Sequence, residues 1–581
     1  MNRREMLVAM GMMAAGSPLF GAPLSGTRDV KNVSRVFNVK DFGATGDGNT
    51  LDTASINRTV DACADAGGGL VYLPPGTYLS GTVILKSNAT LYIEAGATLL
   101  GSKNIRDYLS QPQSQNSNAV QDHSFVNDLR DAGAYHLVFA RDAENVGVTG
   151  LGTIDGQGSA FWAQNGRVSP PPEDAWRDTI AHGWKALPPR PSPMLEFYNC
   201  KNMHIEDVHL QNSAGWTLRP IHCDNVYIHG ISIKNPVYGP NADGIDATCS
   251  QNIFISDCLI DTGDDAICLK SENPYGEELR VSKNIVVTNC VLSGCCNGFK
   301  FGTATHGGFE NILFSNSVIF NEDVPLNARI ISGIAVEMVD GGWIEGVQIS
   351  NIRMQRVRTP IFIRRANRKP RSDGTPGTLR GVMIENIYAT DAILTSSVTG
   401  LPGFDVEDVT LSNIRIDSIE DGKAEWVDRT IPEVPKTYPE ARNFGRLPSY
   451  GIYSRHVTGL RLRNIEFRSG PNEERPAIFC DDVKNVEIDD LRSQAIVGTQ
   501  PVVKLVQTKQ ALVRGCWAPT DTNAFLEVQG DKSEGIVLMD NNLATAKQAV
   551  QSGPDVSQTA IATSGNLVQS GDKQTQSQQT K

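Results

Sequence analysis

Three aspartates in two short segments have the residue type and the spacing for acid–base chemistry. The segment Asn241-Ala-Asp-Gly-Ile-Asp246 contains Asp243, and Thr262-Gly-Asp-Asp-Ala-Ile-Cys-Leu-Lys270 contains Asp264 and Asp265, 21 and 22 residues later. Grouped carboxyls suit glycoside hydrolysis, with one protonated as general acid and another activating water, or Ca²⁺ binding by oxygen ligands. Because Gly-Asp-Asp is also an ordinary turn sequence, the interpretation depends on whether the chain brings these segments together.

A short sequence motif, which we call the phrase, recurs along most of the chain, mainly at steps of 23 to 35 residues. Its recurrence predicts stacked strands. It begins with Asn, Gly or Asp, continues with alternating apolar residues, and ends with Asn or Asp before an apolar residue. Examples are Asn202–Val208, Asn225–Ile231, Asn252–Cys258, Gly346–Ile352 and Gly381–Ile387. The alternation is typical of strands with one buried face, and the repeat is typical of a solenoid. A step of 51 residues before Gly459 indicates an insertion or a missed coil.

These patterns predict the fold class. We expect an all-β protein, a right-handed parallel β-helix built as a single solenoid over residues 36–545, with a short N-terminal capping helix over 52–66. Rungs of such a solenoid lie about 4.8 Å apart, so residues one coil apart stack on one wall. Asp243, Asp264 and Asp265 would then form a carboxylate cluster.

Three segments depart from the repeat. Residues 1–25 have twin arginines before a short apolar run, which predicts a twin-arginine-like export signal; the alternative is a retained membrane anchor. Residues 102–193 are expected to be a loop insertion, whose tryptophans either contact sugar or pin the loop. Residues 547–581 are rich in Gln, Ser, Thr, Gly and Lys, which favours disorder.

Composition limits the partners and the compartment. The net charge of −12 disfavours a nucleic-acid partner. We expect a periplasmic or secreted monomer with a polysaccharide or oligosaccharide substrate, no membrane span after processing, no cofactor and no metal. The cysteines Cys200, Cys223, Cys249, Cys268 and Cys290 recur about once per coil. This spacing favours a buried stack and leaves a few disulfides open.

The two aspartate segments together resemble the motifs of glycoside hydrolase family 28, the polygalacturonase family. The segment Ser213–Leu218, which contains Trp216, resembles that family as well, and residues 36–101 look like the first coils of the wider pectate-lyase-like β-helix group. The resemblance covers roughly residues 36–500. It implies inverting hydrolysis with Asp264 as general acid and with Asp243 and Asp265 holding and deprotonating water, while Asp246 supports the cluster.

Two departures from the family pattern concern substrate recognition. The family's Gly-His-Gly is Cys296-Asn297-Gly298 here, and Asn cannot exchange a proton; His306 is a candidate substitute. The family's Arg-Ile-Lys falls on Ala335-Val336-Glu337. A glutamate in that place would repel a uronate by about 4 kcal/mol at 4 Å with an effective dielectric near 20.

The sequence therefore predicts an enzyme other than a standard polygalacturonase. Either the sugar beside the cleaved bond is neutral, or another cation binds its carboxylate; the candidates are Lys300, Arg329, Arg364 and Arg365. The basic run 364–371 either faces an acidic polymer or is a solvated loop. The substrate-binding candidates are Trp216, Asn297, Lys300, Glu337 and Arg364.

Two other functions use the same fold and stay open on sequence alone. One is a Ca²⁺-dependent polysaccharide lyase, which the aspartate motifs disfavour because they match the hydrolase pattern. The other is a carbohydrate-binding β-helix without activity, which the missing His, Arg and Lys favour and the intact aspartates disfavour.

Overall fold

The computed structural model describes residues 35–110, 134–168, 170–273 and 278–568. The predicted export signal, residues 1–25, lies outside this part of the chain. Among the described residues, no helix has both the length and the apolar character needed to cross a membrane.

Strands dominate the described chain, and nearly all of them pair in parallel with strands of the coils before and after. The first coils contain β1 (Val36–Asn38), β2 (Asp47–Leu51), β3 (Gly69–Leu73), β4 (Gly76–Ser80), β5 (Val83–Leu85), β6 (Ala89–Ile93), β7 (Ala97–Gly101), β8 (Val138–Arg141), β9 (Glu144–Thr149) and β10 (Thr153–Asp155). A separate antiparallel pair is formed by β11 (Trp162–Gln164) and β12 (Trp184–Ala186).

The central coils have three strands each. They are β13 (Leu195–Tyr198), β14 (Lys201–Glu206), β15 (His209–Gln211), β16 (Leu218–Ile221), β17 (Asp224–His229), β18 (Ser232–Lys234), β19 (Ile245–Thr248), β20 (Gln251–Ser256), β21 (Leu259–Asp261), β22 (Ile267–Ser271), β23 (Ser282–Thr288) and β24 (Val291–Ser293).

The remaining strands include longer ones such as β26, which pairs with both β23 and β24 and so merges two walls. They are β25 (Asn297–Thr305), β26 (Gly308–Phe320), β27 (Ser332–Met338), β28 (Trp343–Gln355), β29 (Thr359–Arg365), β30 (Thr378–Ala392), β31 (Ser396–Thr399), β32 (Val406–Ser418), β33 (Ile452–Arg468), β34 (Ile478–Ser493), β35 (Val503–Val506), β36 (Lys509–Arg514), β37 (Thr522–Gln529), β38 (Glu534–Met539), β39 (Asn542–Leu543), β40 (Ala546–Ser552), β41 (Ile561–Ser564) and β42 (Leu567–Val568).

Helical structure is sparse in the described residues. The one α-helix there, α1 (Thr53–Asp65), buries Ile56, Val60 and Cys63 in the same core as the strands, so it covers the first coils as a cap. Short 3-10 turns occupy Val39–Phe42, Ile105–Asp107, Gly158–Phe161, Pro172–Arg177, Ile180–Gly183, Leu326–Ala328, Ala424–Trp426 and Ala441–Phe444. The predicted parallel β-helix with a capping helix is confirmed.

The recurring Asn of the sequence phrase has a structural cause. Asn202, Asn225 and Asn252 have φ angles of 53°, 57° and 56°, a left-handed conformation that Asn tolerates better than most residues. Their side-chain amides form a ladder from coil to coil, with Asn225 Nδ2 donating to Asn202 Oδ1 at 3.0 Å and Asn252 Nδ2 to Asn225 Oδ1 at 3.1 Å. The phrase thus marks a turn that every coil repeats.

Most of the cysteines lie in the apolar core of the solenoid. All eleven are free thiols, and each of them except the half-buried Cys296 is buried. Of the once-per-coil series, Cys200, Cys223 and Cys290 pack in the core, whereas Cys249 and Cys268 are buried outside it.

The region 102–193 differs from the single insertion that we predicted. Strands β8, β9 and β10 complete one coil within it, with β8 pairing to both β5 and β13. This coil escapes sequence detection because Gly147 stands where other phrases carry a side chain; a Cβ there would lie 2.3 Å from the carbonyl oxygen of His204. The region is thus divided into two insertions on either side of residues 138–155.

The long step before Gly459 is an insertion rather than a missed coil. Strands β32 and β33 pair directly over most of their length, so residues 419–451 leave the solenoid between two adjacent rungs. We call this segment the 419–451 insertion.

The C-terminal segment also differs from the prediction of disorder from residue 547. Strand β40 pairs with β37, and β41 pairs with β38, so the solenoid continues to Val568. A polar sequence can extend the ladder because its hydrogen bonds join backbone groups, while the small residues Ala546 and Ala560 take the buried positions. Residues 569–581 lie outside the described chain.

Candidate active site

One wall of the solenoid carries a row of side chains in matching register, which we call the floor row. It consists of Asp246 on β19, Cys268 on β22, Lys300 on β25, Ala335 on β27 and Phe362 on β29. Strands that pair in parallel place equivalent residues one rung apart. The turns that lead into β19 and β22 are therefore held side by side at one edge of this row.

These turns bring the three aspartates together. Asp243 precedes β19, Asp264 and Asp265 precede β22, and one carboxylate oxygen from each lies within 4.8 Å of those of the other two. Asp243 and Asp265 are buried, whereas Asp264 is half-buried. The trio thus forms a compact carboxylate cluster in which Asp264 retains access to solvent.

Asp264 has the electrostatic setting of an acid. Burial, followed by the neighbouring carboxylate of Asp265, raises the pKa of Asp264 to about 7. Its Oδ1 accepts a hydrogen bond from the backbone N–H of Asp265 at 3.0 Å. A carboxyl with this pKa holds a proton near neutral pH and can donate it to a leaving group.

Asp265 is held as a carboxylate acceptor by two buried partners. Asn297 Nδ2 donates to its Oδ1 at 2.7 Å, and Lys300 Nζ lies 3.1 Å from its Oδ2. Asp264 and Asp265 are neighbours in sequence, yet their surroundings differ: Asp265 contacts a buried ammonium and a buried amide, whereas Asp264 is half-buried.

A second ion pair, of Asp246 and Lys270, lies beside the trio. Lys270 Nζ is 3.3 Å from Asp246 Oδ1 and 4.7 Å from the centre of the Trp216 ring. Burial, despite the nearby cation, raises the pKa of Asp246 to about 6. Burial raises the pKa of Asp243 well above its usual range, with Asp246 and Asp264 adding to the effect. Half-buried Trp216 therefore borders the charged cluster.

Tyr438 is a site residue that the sequence analysis missed. Its hydroxyl accepts a hydrogen bond from Lys300 Nζ at 3.0 Å, and its ring centre lies 5.1 Å from the same ammonium. Tyr438 belongs to the 419–451 insertion, 138 residues from Lys300 in sequence. No motif or spacing marks this tyrosine, because only the folding of the insertion back onto the floor row brings it there.

Comparison with known proteins identifies the family of this chain. The sequence model described as "Glycosyl hydrolases family 28" matches residues 90–434, more than half of the 581-residue chain.

The chain belongs to glycosyl hydrolases family 28.

Several relatives share this assignment. A probable polygalacturonase of Vitis vinifera is 26% identical over 391 residues, which cover 65% of this chain and 73% of that protein. An exo-poly-alpha-D-galacturonosidase of Dickeya chrysanthemi is 27% identical over 359 residues, which cover 57% of each protein. The crystal structure of a hyperthermoactive exopolygalacturonase from Thermotoga maritima has a similar fold, with a TM-score of 0.50 and 24% identity over 67% of this chain and 89% of that chain.

As a member of family 28, the protein is a glycoside hydrolase acting on pectin-like polysaccharides. The family match ends at residue 434, before Tyr438. Tyr438 thus lies just beyond the residues that the family model matches.

Asn297 stands where the family 28 pattern has a histidine, and its contacts show which aspartate it supports. Asn297 donates to Asp265 rather than to Asp264, so it supports the carboxylate partner of the pair. His306 does not replace the missing histidine near the trio. Burial lowers the pKa of His306, and the charged groups that influence it are Asp340, Glu272, Lys369 and Arg368.

The protonation state of Glu337 differs from the charged form that the sequence analysis assumed. Its Oε2 lies 3.9 Å from Lys300 Nζ and has no hydrogen-bond partner among the described residues. Burial raises the pKa of Glu337 to about 8 even though Lys300 opposes the change. The carboxyl is therefore mostly neutral at pH 7, and the repulsion of a uronate expected from sequence is largely absent there.

The basic candidates for uronate binding are engaged elsewhere. Arg364 donates to the carbonyls of Gly400 and Glu433, Arg365 donates to those of Gly377 and Asp405, and Arg329 donates to that of Val324. These arginines are largely buried. The run 364–371 therefore starts as buried anchors, not as a solvated loop or a polymer-facing patch. Of the four candidates, Lys300 is the one that contacts the trio.

Two of the three tryptophans between residues 156 and 193 pin their insertion to the solenoid. Trp162 Nε1 donates to the carbonyl of Ala214 at 2.7 Å, and the buried Trp176 packs on Ile393 and Leu394. Trp184 is half-buried and stacks on Tyr238, with ring centres 4.8 Å apart.

Proposed function

We propose that this enzyme hydrolyses its glycosidic bond with Asp264 as general acid and with Asp265, assisted by Asp243, activating water. The observation that carries the proposal is the convergence of three carboxyls within 4.8 Å, with a raised pKa on Asp264 and with Lys300 beside Asp265. Environments that separate the protonation states of neighbouring carboxyls are the usual basis of acid and base assignments.

Asp265 is the better base of the two candidates. The raised pKa of Asp243 favours its neutral form, which can orient water through hydrogen bonds but cannot take its proton. Asp265 has Lys300 and Asn297 to stabilise its charge. We assign proton removal to Asp265 and water binding to Asp243.

We propose inversion of configuration on the basis of family membership. Inverting enzymes usually separate their two carboxyls by about 6.5–9.5 Å to admit water, and the closest oxygens of this trio approach nearer than that. The stereochemistry therefore needs a direct test. Following the anomer of the first-formed product by proton NMR should show the configuration opposite to that of the substrate; retention would contradict inversion while leaving hydrolysis intact.

We propose that the sugar beside the cleaved bond is uncharged, so that homogalacturonan is not the preferred substrate. Each cation close to the trio already has an acidic partner: Lys300 pairs with Asp265, and Lys270 pairs with Asp246. A uronate at this position would compete with the enzyme's own carboxylates for these ammonium groups.

A panel of polymers tests this assignment. Rhamnogalacturonan and de-esterified homogalacturonan should be incubated with and without chelator, while reducing ends and ultraviolet absorbance are followed. We expect reducing ends without an absorbing product, no dependence on chelator, and faster release from rhamnogalacturonan. An absorbing product lost on chelation would instead indicate a Ca²⁺-dependent lyase.

We also propose export through the twin-arginine-like segment 1–25 and action as a monomer in the periplasm or outside the cell. Support comes from the arginines followed by a short apolar run, and from the polymeric nature of pectin-like substrates. Fractionation of expressing cells, with Arg3 and Arg4 both changed to Lys as the control, tests the export route.

A further inference from the structure

The 419–451 insertion covers the floor row immediately beyond Lys300. Its apolar side chains form one buried cluster with floor residues and with two aromatic residues of later coils. The members of this cluster are Ala335, Phe362, Val427, Ile431, Ala441, Phe444, Leu447, Tyr453 and Phe479. Because apolar side chains of the insertion pack on Ala335 and Phe362 in this cluster, no sugar chain can lie on this part of the floor.

Polar contacts fasten the insertion at two places. At one, Glu433 Oε1 lies 2.6 Å from Arg455 Nη2 and 3.1 Å from His456 Nε2. At the other, Arg442 Nη1 donates to the carbonyl of Arg177 at 3.0 Å and to Thr179 Oγ1 at 3.2 Å. The second contact joins the 419–451 insertion to the earlier insertion around residues 156–194.

This junction is near the trio. Arg358 donates to the carbonyls of Asp178 and Cys295 at 2.6 and 3.3 Å. Cys295 is followed by Cys296, whose side chain influences the pKa of Asp264. Tyr438 then contacts Lys300 from the same insertion. The site is therefore bounded on the Ala335 side by Tyr438 and by apolar packing.

We propose that the active site is a pocket closed on its Ala335 side, so that the enzyme cleaves near the end of a sugar chain. This inference rests on the proposed hydrolysis at the trio and adds the position on the sugar chain at which the bond is cleaved. The strand after the trio, β22, is one rung, about 5 Å, from Lys300 on β25, which Tyr438 contacts, and two rungs, about 10 Å, from the covered strand β27. That depth admits a chain end and predicts release of a mono- or disaccharide.

The wild-type enzyme provides the first test. Viscosity and reducing ends should be followed together on a long rhamnogalacturonan or homogalacturonan, and early products separated by size. A mono- or disaccharide as the sole early product, with little loss of viscosity, supports the pocket. An early ladder of fragments with a rapid fall in viscosity overturns it, while the proposed hydrolysis stands.

A variant that lacks the 419–451 insertion provides the second test, by comparison with the wild type. In the preceding coil, Ala392 and Ser396 are the register partners of Ser418 and Ile452, so three residues suffice to join these strands. Replacing residues 419–451 by Ile-Leu-Thr, the connection at 393–395, should increase viscosity loss per bond cleaved. An unchanged ratio in the folded variant would contradict the proposal.

Binding measurements distinguish an error in the proposed pocket from an error in the proposed hydrolysis. With the Asp264→Asn protein and fragments of both polymers of defined length, calorimetry should find one protein per chain at every length. A stoichiometry that rises with length overturns the pocket, as does absence of binding to both polymers. If the wild type binds in this way but hydrolyses neither polymer, the proposed function fails and the pocket stands.

Discussion

Lys300 Nζ lies 3.1 Å from Asp265 Oδ2, and the two side chains are almost fully buried. The pair couples the floor row to the turn that carries the trio. Burial alone would lower the pKa of Lys300, but Asp265, Tyr438 and Glu337 raise it well above its usual range. A permanent positive charge is thus fixed beside the carboxylate assigned as base.

Lys300→Met should lower both activity and stability. Removing one partner of a buried ion pair typically costs about 3–5 kcal/mol, which denaturant unfolding would detect. Loss of the base function would lower kcat by on the order of 100-fold or more.

A double variant separates these two effects. Lys300→Met combined with Asp265→Asn leaves no unpaired charge at this position, so stability should recover relative to Lys300→Met while activity stays absent. Recovery of activity in the double variant would show that Asp265 is not the base.

The loss of activity at alkaline pH should follow the deprotonation of Asp264. Its pKa of about 7 means that the acid form is present below this pH and is lost as the pH rises through it. We expect kcat/KM to decline above pH 7 at constant ionic strength. Undiminished activity from pH 7 to 9 would contradict the assignment of Asp264 as acid.

Stability should fall as the pH rises from about 5 to 8. Burial raises the pKa of Glu337 to about 8 and that of Asp246 to about 6, so the folded state binds more protons than the unfolded state in this window. Glu337→Gln removes one of these groups without changing its size. Thermal unfolding should show a weaker pH dependence in this variant, and an identical dependence would exclude Glu337 as a contributor.

Tyr438→Phe tests the contribution of the insertion to chemistry. The change keeps the ring over Lys300 and removes the hydroxyl that accepts its hydrogen bond at 3.0 Å. Hydrogen bonds to charged groups contribute about 1.5–3 kcal/mol, so kcat should fall about tenfold with KM nearly unchanged. Tyr388→Phe, on an exposed part of the solenoid, is the control. Equal kinetics in the two variants would leave Tyr438 with a packing role only.

Sequence was sufficient for the parts of the site that the repeat itself positions. The spacing of Asp243, Asp264 and Asp265 matches one turn of the solenoid, so a correct period brings them together. The repeated Asn of the phrase marks a turn whose backbone conformation recurs in every coil. Local pattern and global fold agree at these positions, and sequence reasoning is reliable there.

Sequence was not sufficient where long-range packing decides. The apolar residues of the 419–451 insertion have no strand or helix period, so nothing predicts that they cover Ala335 and Phe362. Arg364 matched a substrate-binding pattern, yet its guanidinium donates to backbone carbonyls. The protonation of Glu337 follows from its burial, which only the folded structure reveals.

Asp264→Asn tests the central claim most directly. Reducing-end release from rhamnogalacturonan should be compared for the wild type, Asp264→Asn and Asp261→Asn, which changes a half-buried aspartate on the preceding strand. Circular dichroism should confirm that all three are folded. We predict that Asp264→Asn loses activity by at least on the order of 100-fold and that Asp261→Asn stays near wild type. Near-wild-type turnover in a folded Asp264→Asn protein would contradict the assignment of the trio as the hydrolytic centre.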